Sequence, residues 1–217
     1  MADYTTRRTM MVDTQVRPSD VTKFPIIDAM LDIPREAYVP DAMREAAYVG
    51  ENLTLPGGRT MLDPRTLAKM LDALNIQPDH VVMDLGCGLG YSTALVARLA
   101  EFVVGVEDDE PRADEAQAIL SAHDVDNAAV ISGPLEEGAA KSGPYDTILI
   151  NGGVEEVPET ITDQLREGGH IGAIFAEGAL GVVRIGHKAD GRVNWRFSFN
   201  AGAPVLDGFK KKAAFAL

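Results

Sequence analysis

The stretch Val81-Val82-Met83-Asp84-Leu85-Gly86-Cys87-Gly88-Leu89-Gly90-Tyr91 decides how this chain folds. A short apolar run, an acid and three alternating glycines precede Tyr91 to Ala100, a segment with helical character. That order predicts strand, tight turn, helix. Phe102 to Val106 follows as a second strand, ending in Glu107-Asp108-Asp109. Pro111 to Ala122 reads as a helix, Ala129 to Ile131 as a third strand and Thr147 to Ile150 as a fourth. Pro158 opens a helix that Gly168-Gly169 closes, and His170 to Phe175 makes a fifth strand. Alternating strands and helices imply a mainly parallel sheet covered on both faces. Val182 to Gly186 and Val193 to Phe197, joined by Asp190-Gly191, alternate like an antiparallel hairpin. The expected fold is therefore α/β: a doubly wound, mainly parallel sheet with an antiparallel C-terminal edge.

Upstream, residues 1–75 read as a helical cap with breaks. Ile26 to Leu31 is amphipathic, Pro34 and Pro40 punctuate, and Asp41 to Tyr48 follows. Gly50 to Asp63, with Pro56, Gly57 and Gly58, reads as a loop. Pro64 is expected in the first turn of a helix whose apolar face is Leu67, Met70, Leu71 and Leu74. At 217 residues the chain suggests one domain, a cap over 1–75 and a core over 76–217. Its hydrophobic fraction of 46% excludes global disorder. No apolar run approaches the length of a membrane span, and no secretory signal is visible, so a cytoplasmic location is expected. Cys87 is the lone cysteine, which excludes an internal disulfide and a cysteine-based zinc site. The four histidines lack metal-ligand spacing, so no metal is expected. With 33 acids against 20 bases, a net charge of -13 repels a phosphate backbone, and Lys210-Lys211-Lys212 reads as a solvated run.

The glycine turn carries the chemistry. Glycines allow close backbone approach to a ligand, and Glu107 closes the next strand, where a carboxylate can accept from ribose hydroxyls. A dinucleotide site wants Gly-x-Gly-x-x-Gly, but Tyr91 stands where its third glycine belongs. Cys87, between ligand-facing glycines, reads as a small filler. An acid just before the glycines resembles the Rossmann-like class I S-adenosylmethionine-dependent methyltransferases. That resemblance implies a cofactor site of Asp84, Gly86, Cys87, Gly88, Gly90, Glu107 and Asp108, with S-adenosylhomocysteine as product.

More specific segments lie outside the turn. Met11 to Pro18, Ile33-Pro34-Arg35-Glu36-Ala37-Tyr38-Val39-Pro40, Ala47-Tyr48, Tyr145 to Ile150 and Val157 to Gly169 resemble the protein-L-isoaspartate O-methyltransferases. The resemblance runs from about residue 10 to about 175 and implies methyl transfer to a protein or peptide carboxylate. Three departures fall on functional positions. The family's substrate loop, Gly-x-Gly-Gln-Thr-Ile-Ser-x-Pro, corresponds to Pro56-Gly57-Gly58-Arg59-Thr60-Met61-Leu62-Asp63-Pro64. Leu62 replaces its serine and Arg59 its glutamine, leaving Thr60 and Arg59 as the candidates to meet the acceptor. The family's Gly-Asp-Gly, whose acid helps hold the adenine end, becomes Gly133-Pro134-Leu135. The run after the fourth strand becomes Asn151-Gly152-Gly153-Val154-Glu155-Glu156, with two acids near the expected substrate side. These changes keep two alternatives open beside isoaspartyl transfer: methylation of another, small-molecule acceptor, or a non-catalytic S-adenosylmethionine-binding module.

Overall fold

The computed structural model describes residues 3–177 and 180–211. Helices α1 (Tyr4–Met11) and α2 (Phe24–Asp32) open the chain, with short 3-10 turns at Arg35–Tyr38 and Asp41–Ala46. The segment expected to be a loop contains a small antiparallel hairpin, β1 (Leu53–Thr54) and β2 (Thr60–Met61), around a turn at Pro56–Gly58. Asp63 caps helix α3 (Pro64–Leu74) by accepting from the Thr66 N–H, and Pro64 sits in the first turn as expected. Next come β3 (Val81–Leu85), α4 (Tyr91–Ala97), β4 (Phe102–Glu107), α5 (Glu110–Ala122) and β5 (Ala128–Ser132). The chain ends through β6 (Tyr145–Val154), α6 (Glu159–Thr162), β7 (Leu165–Glu177), β8 (Leu180–Ala189) and β9 (Arg192–Asn200).

Seven strands form one sheet in the order β5-β4-β3-β6-β7-β8-β9. Pairs from β5 to β7 are parallel, while β7-β8 and β8-β9 are antiparallel, giving the doubly wound sheet with an antiparallel edge. Both faces are covered, and the strand residues divide by alternation. Val82, Val103 and Leu149 pack on one side with α3, α4 and the N-terminal helices. Met83, Leu85, Val104, Val106, Ile148 and Ile150 pack on the other. This is why the central strands read as unbroken apolar runs. The chain goes outward from β3 to β5 and returns to β6 on the other side of β3. The order thus reverses at β3, and in open α/β sheets such a switch point, at the strands' carboxyl ends, is where ligands bind.

One expected element is corrected. The helix after Pro158 does not run to Gly168: it stops at Thr162, and β7 begins at Leu165. The sheet wins because Leu165 is buried beside β6, and the Tyr145 N–H donates to the Gln164 carbonyl at 2.9 Å. No helix among the described residues is long and apolar enough to cross a membrane. Within the basic run, Lys210 pairs with Asp207, the Lys211 N–H donates to Glu155, and Lys212 lies outside the described residues.

Candidate active site

The turn after β3 is built on backbone that favours glycine: φ is +72° at Gly86, +60° at Gly88 and +93° at Gly90. Four of its N–H groups are spent within the chain. Those of Gly86 and Cys87 donate to the Val106 carbonyl, that of Gly90 to the Cys87 carbonyl, and that of Gly88 to Glu107 Oε2 at 2.9 Å. This leaves little to cradle a pyrophosphate. Tyr91 fills the helix–strand contact with its ring against Tyr38, under the Arg35 guanidinium.

Asp84 is fully buried behind the turn. Ser92 Oγ and Thr93 Oγ1 donate to its Oδ2 at 2.8 and 2.7 Å, and Asn151 Nδ2 donates to its Oδ1. Burial pushes its carboxyl up to about 6, against the downward pull of those donors. The side chain therefore ties β3 to α4 and β6. Cys87 is buried, and its thiol is pushed up by burial and by the nearby Asp84 and Glu107 charges, which suits a filler and not a nucleophile.

Glu107 sits at the carboxyl end of β4 with no solvent exposure. Arg59 grips it with Nε at 3.0 Å from Oε2 and Nη2 at 2.8 Å from Oε1, and Arg112 Nη1 lies 2.6 Å from Oε1. Arg59 Nη2 also reaches Asp108 Oδ1 at 2.6 Å. Burial works against the Arg59 charge, but Glu107 and Asp108 outweigh it and hold the guanidinium above its ordinary value. Arg59 thus lies on Glu107, along the glycine turn: its Cγ is 3.4 Å from where a Gly88 Cβ would stand.

Thr60 follows Arg59 and is buried with its hydroxyl unpartnered. It lines a cavity of about 10 Å³ with Leu62, Gly86, Gly88 and Asn151, room for roughly one water. Leu62 packs in the core at 2% exposure, and its carbonyl accepts from Arg35 Nη2 at 2.8 Å. Arg35 is itself fully buried and also donates to the Ala47 carbonyl. Arg35 therefore ties the segment 34–40 to the chain at both Leu62 and Ala47. Beside Glu107, the Gly133 N–H donates to its carbonyl, Pro134 is exposed and Leu135 is core.

The course of residues 201–209 has no counterpart in the reading of the sequence. They cross the carboxyl end of β6, where the Gly153 N–H donates to the Pro204 carbonyl at 2.7 Å and the Leu206 N–H to the Gly153 carbonyl at 2.9 Å. A Cβ at Gly152 would stand 2.5 Å from Leu206, so only glycine admits that side chain. Glu155 and Glu156 donate their backbone N–H groups to the Phe209 carbonyl. The missed residues are thus Arg112, Ser92, Thr93 and Leu206. The Gly152-Gly153 pair, at the end of a buried strand, was the signal for a close approach.

The frame fits S-adenosylmethionine: a turn that permits close approach, and an acid at the end of β4. Arg59 and Leu206 lie against that frame, with Arg59 Nη1 3.7 Å and Leu206 Cδ1 3.5 Å from where a Gly86 Cβ would stand.

Known proteins bear on these features. A Koribacter versatilis protein-L-isoaspartate O-methyltransferase is 33% identical over 86% of this chain and 84% of its own. One from Syntrophus aciditrophicus is 34% identical over 76% of each. A solved protein-L-isoaspartate O-methyltransferase superposes with a TM-score of 0.81 at 23% identity, covering 93% of this chain and 66% of that one. A Plasmodium falciparum structure, described as a putative protein-L-isoaspartate O-methyltransferase in complex with S-adenosyl-L-homocysteine, gives 0.79 at 19%, covering 95% and 99%. With the profile of the protein-L-isoaspartate(D-aspartate) O-methyltransferase (PCMT) family matching residues 7–196, the chain belongs to that family of S-adenosylmethionine-dependent methyltransferases.

Proposed function

We propose that this chain transfers a methyl group from S-adenosylmethionine to the carboxylate of an isoaspartyl residue in a protein or peptide. The observation that carries the reading is Glu107, a buried acid at the end of β4 held against the glycine turn by the Gly88 N–H. Glu107 would accept from the ribose hydroxyls, with Asp108 beside it and Gly86, Cys87, Gly88 and Gly90 giving close approach. Asp84 would act from behind the turn, fixing Asn151 and α4. The cofactor supplies an activated methyl group.

The protein's share is small in kind. A carboxylate is already anionic and needs no base, so the chain has to position it and exclude water. Thr60 supports that role, because it lines the cavity and its buried hydroxyl has no partner. Residues 1–75 would form the cap that shapes the acceptor side of a single, cytoplasmic domain.

The test is methylation of an isoaspartyl peptide, with Thr60→Val beside the wild type. Loss of one donor to a charged acceptor should slow transfer about ten- to a hundredfold. Equal rates would remove Thr60 from the site. A second reading is favoured by Leu62, whose burial offers the acceptor no donor. Cofactor binding without isoaspartyl methylation would support it, pointing to a small-molecule acceptor or a non-catalytic module.

A further inference from the structure

Glu107 has a partner before any ligand arrives. Arg59 and Arg112 carry two positive charges against Glu107 and Asp108, so the cluster is neutral. The two arginines are held differently. Arg112 belongs to α5, whose start is capped by Asp109, and it also donates to the Pro56 carbonyl. Arg59 stands on the return side of a hairpin whose strands are two residues each. If Arg59 leaves, Glu107 keeps Arg112 and the N–H groups of Gly88 and Asp108. The acid can therefore exchange Arg59 for ligand hydroxyls without becoming an isolated buried charge. Next to Arg59 in sequence is the unpartnered hydroxyl of Thr60.

We propose that Arg59 changes partners during the reaction cycle. It holds Glu107 while the cofactor site is closed, is displaced when ribose hydroxyls take that acid, and then receives the acceptor's carboxylate beside Thr60. Cofactor loading therefore precedes acceptor binding. This rests on the methyltransferase reading above and adds to it an order and a residue that enforces it. A guanidinium is suited to both halves, since it forks onto carboxylates in either place.

Calorimetry on the full chain tests it. S-adenosylhomocysteine and an isoaspartyl peptide are titrated into wild type, Arg59→Gln and Arg59→Lys, with thermal unfolding as the check that each is folded. Opening a site closed in most molecules should tighten S-adenosylhomocysteine binding about ten- to a hundredfold in Arg59→Gln. Peptide binding should need S-adenosylhomocysteine in the wild type, be weakened about tenfold or more in Arg59→Gln, which keeps one neutral donor of the kind the family's loop carries there, and be better kept in Arg59→Lys. Equal S-adenosylhomocysteine affinity in wild type and Arg59→Gln overturns the closure. Peptide binding indifferent to both S-adenosylhomocysteine and Arg59→Gln overturns the hand-over. Failure of every folded form, wild type included, to bind S-adenosylhomocysteine rejects the cofactor reading itself.

Discussion

Neutralising Glu107 isolates the energetics of the buried charge cluster. In Glu107→Gln, Arg59 and Arg112 lose their shared anion and retain only Asp108, at 2.6 and 3.7 Å. The cluster passes from neutral to one net positive charge, with the Arg59 side chain 6% exposed. Breaking a buried pair by removing one partner costs about 3–5 kcal/mol, and Asp108 argues for the lower end, about 3. Arg59→Gln alone leaves Glu107 with Arg112 and should cost about 2 kcal/mol, within the range for hydrogen bonds to charged groups. Combined, the two changes restore neutrality with Arg112 facing Asp108. The double variant should thus lose less than the sum, by about 1–3 kcal/mol. Urea unfolding at pH 7, followed by circular dichroism, closes the cycle. Costs that add within about 0.5 kcal/mol would refute the reasoning, because independent sites behave that way.

Leu62→Ser should lower stability by about 2–5 kcal/mol, since it removes a core side chain, and should not gain isoaspartyl rate. A faster enzyme with unchanged melting would refute that. Asp84, pushed up to about 6 from 3.8, binds its proton more tightly in the folded chain. Its favourable contribution is complete below pH 3.8 and is lost as pH rises to about 6, a swing of about 3 kcal/mol. Asp84→Asn should therefore gain on the wild type between pH 4 and 6.5 in urea unfolding; parallel pH curves would show that the carboxyl is not perturbed.

The central architecture was legible because its signals are local. From Val81 to Glu107, apolar runs, positive-φ glycines and a strand-ending acid sit in order, and β3, α4 and β4 fall where they predict. Pro158 misled because it marks only where a helix starts; its end was set by pairing between β6 and β7. The grip of Arg59 on Glu107 was invisible because the two stand far apart in sequence, joined only when the hairpin folds over the turn. The path of residues 201–209 was hidden for the same reason: its backbone bonds to β6 leave no periodicity to read.

Arg35 holds the loop before α3 through the carbonyl of Leu62 and the N-terminal segment through that of Ala47. Every amino acid offers the same carbonyl there, so this grip is blind to which side chain position 62 carries. Route and chemistry are thereby uncoupled: the loop can exchange a hydroxyl for a hydrocarbon and still follow the same course past the glycine turn. A scaffold wired this way lets single substitutions vary the loop's side chains, while the cost of laying the loop is met once, by a buried guanidinium outside the varied segment.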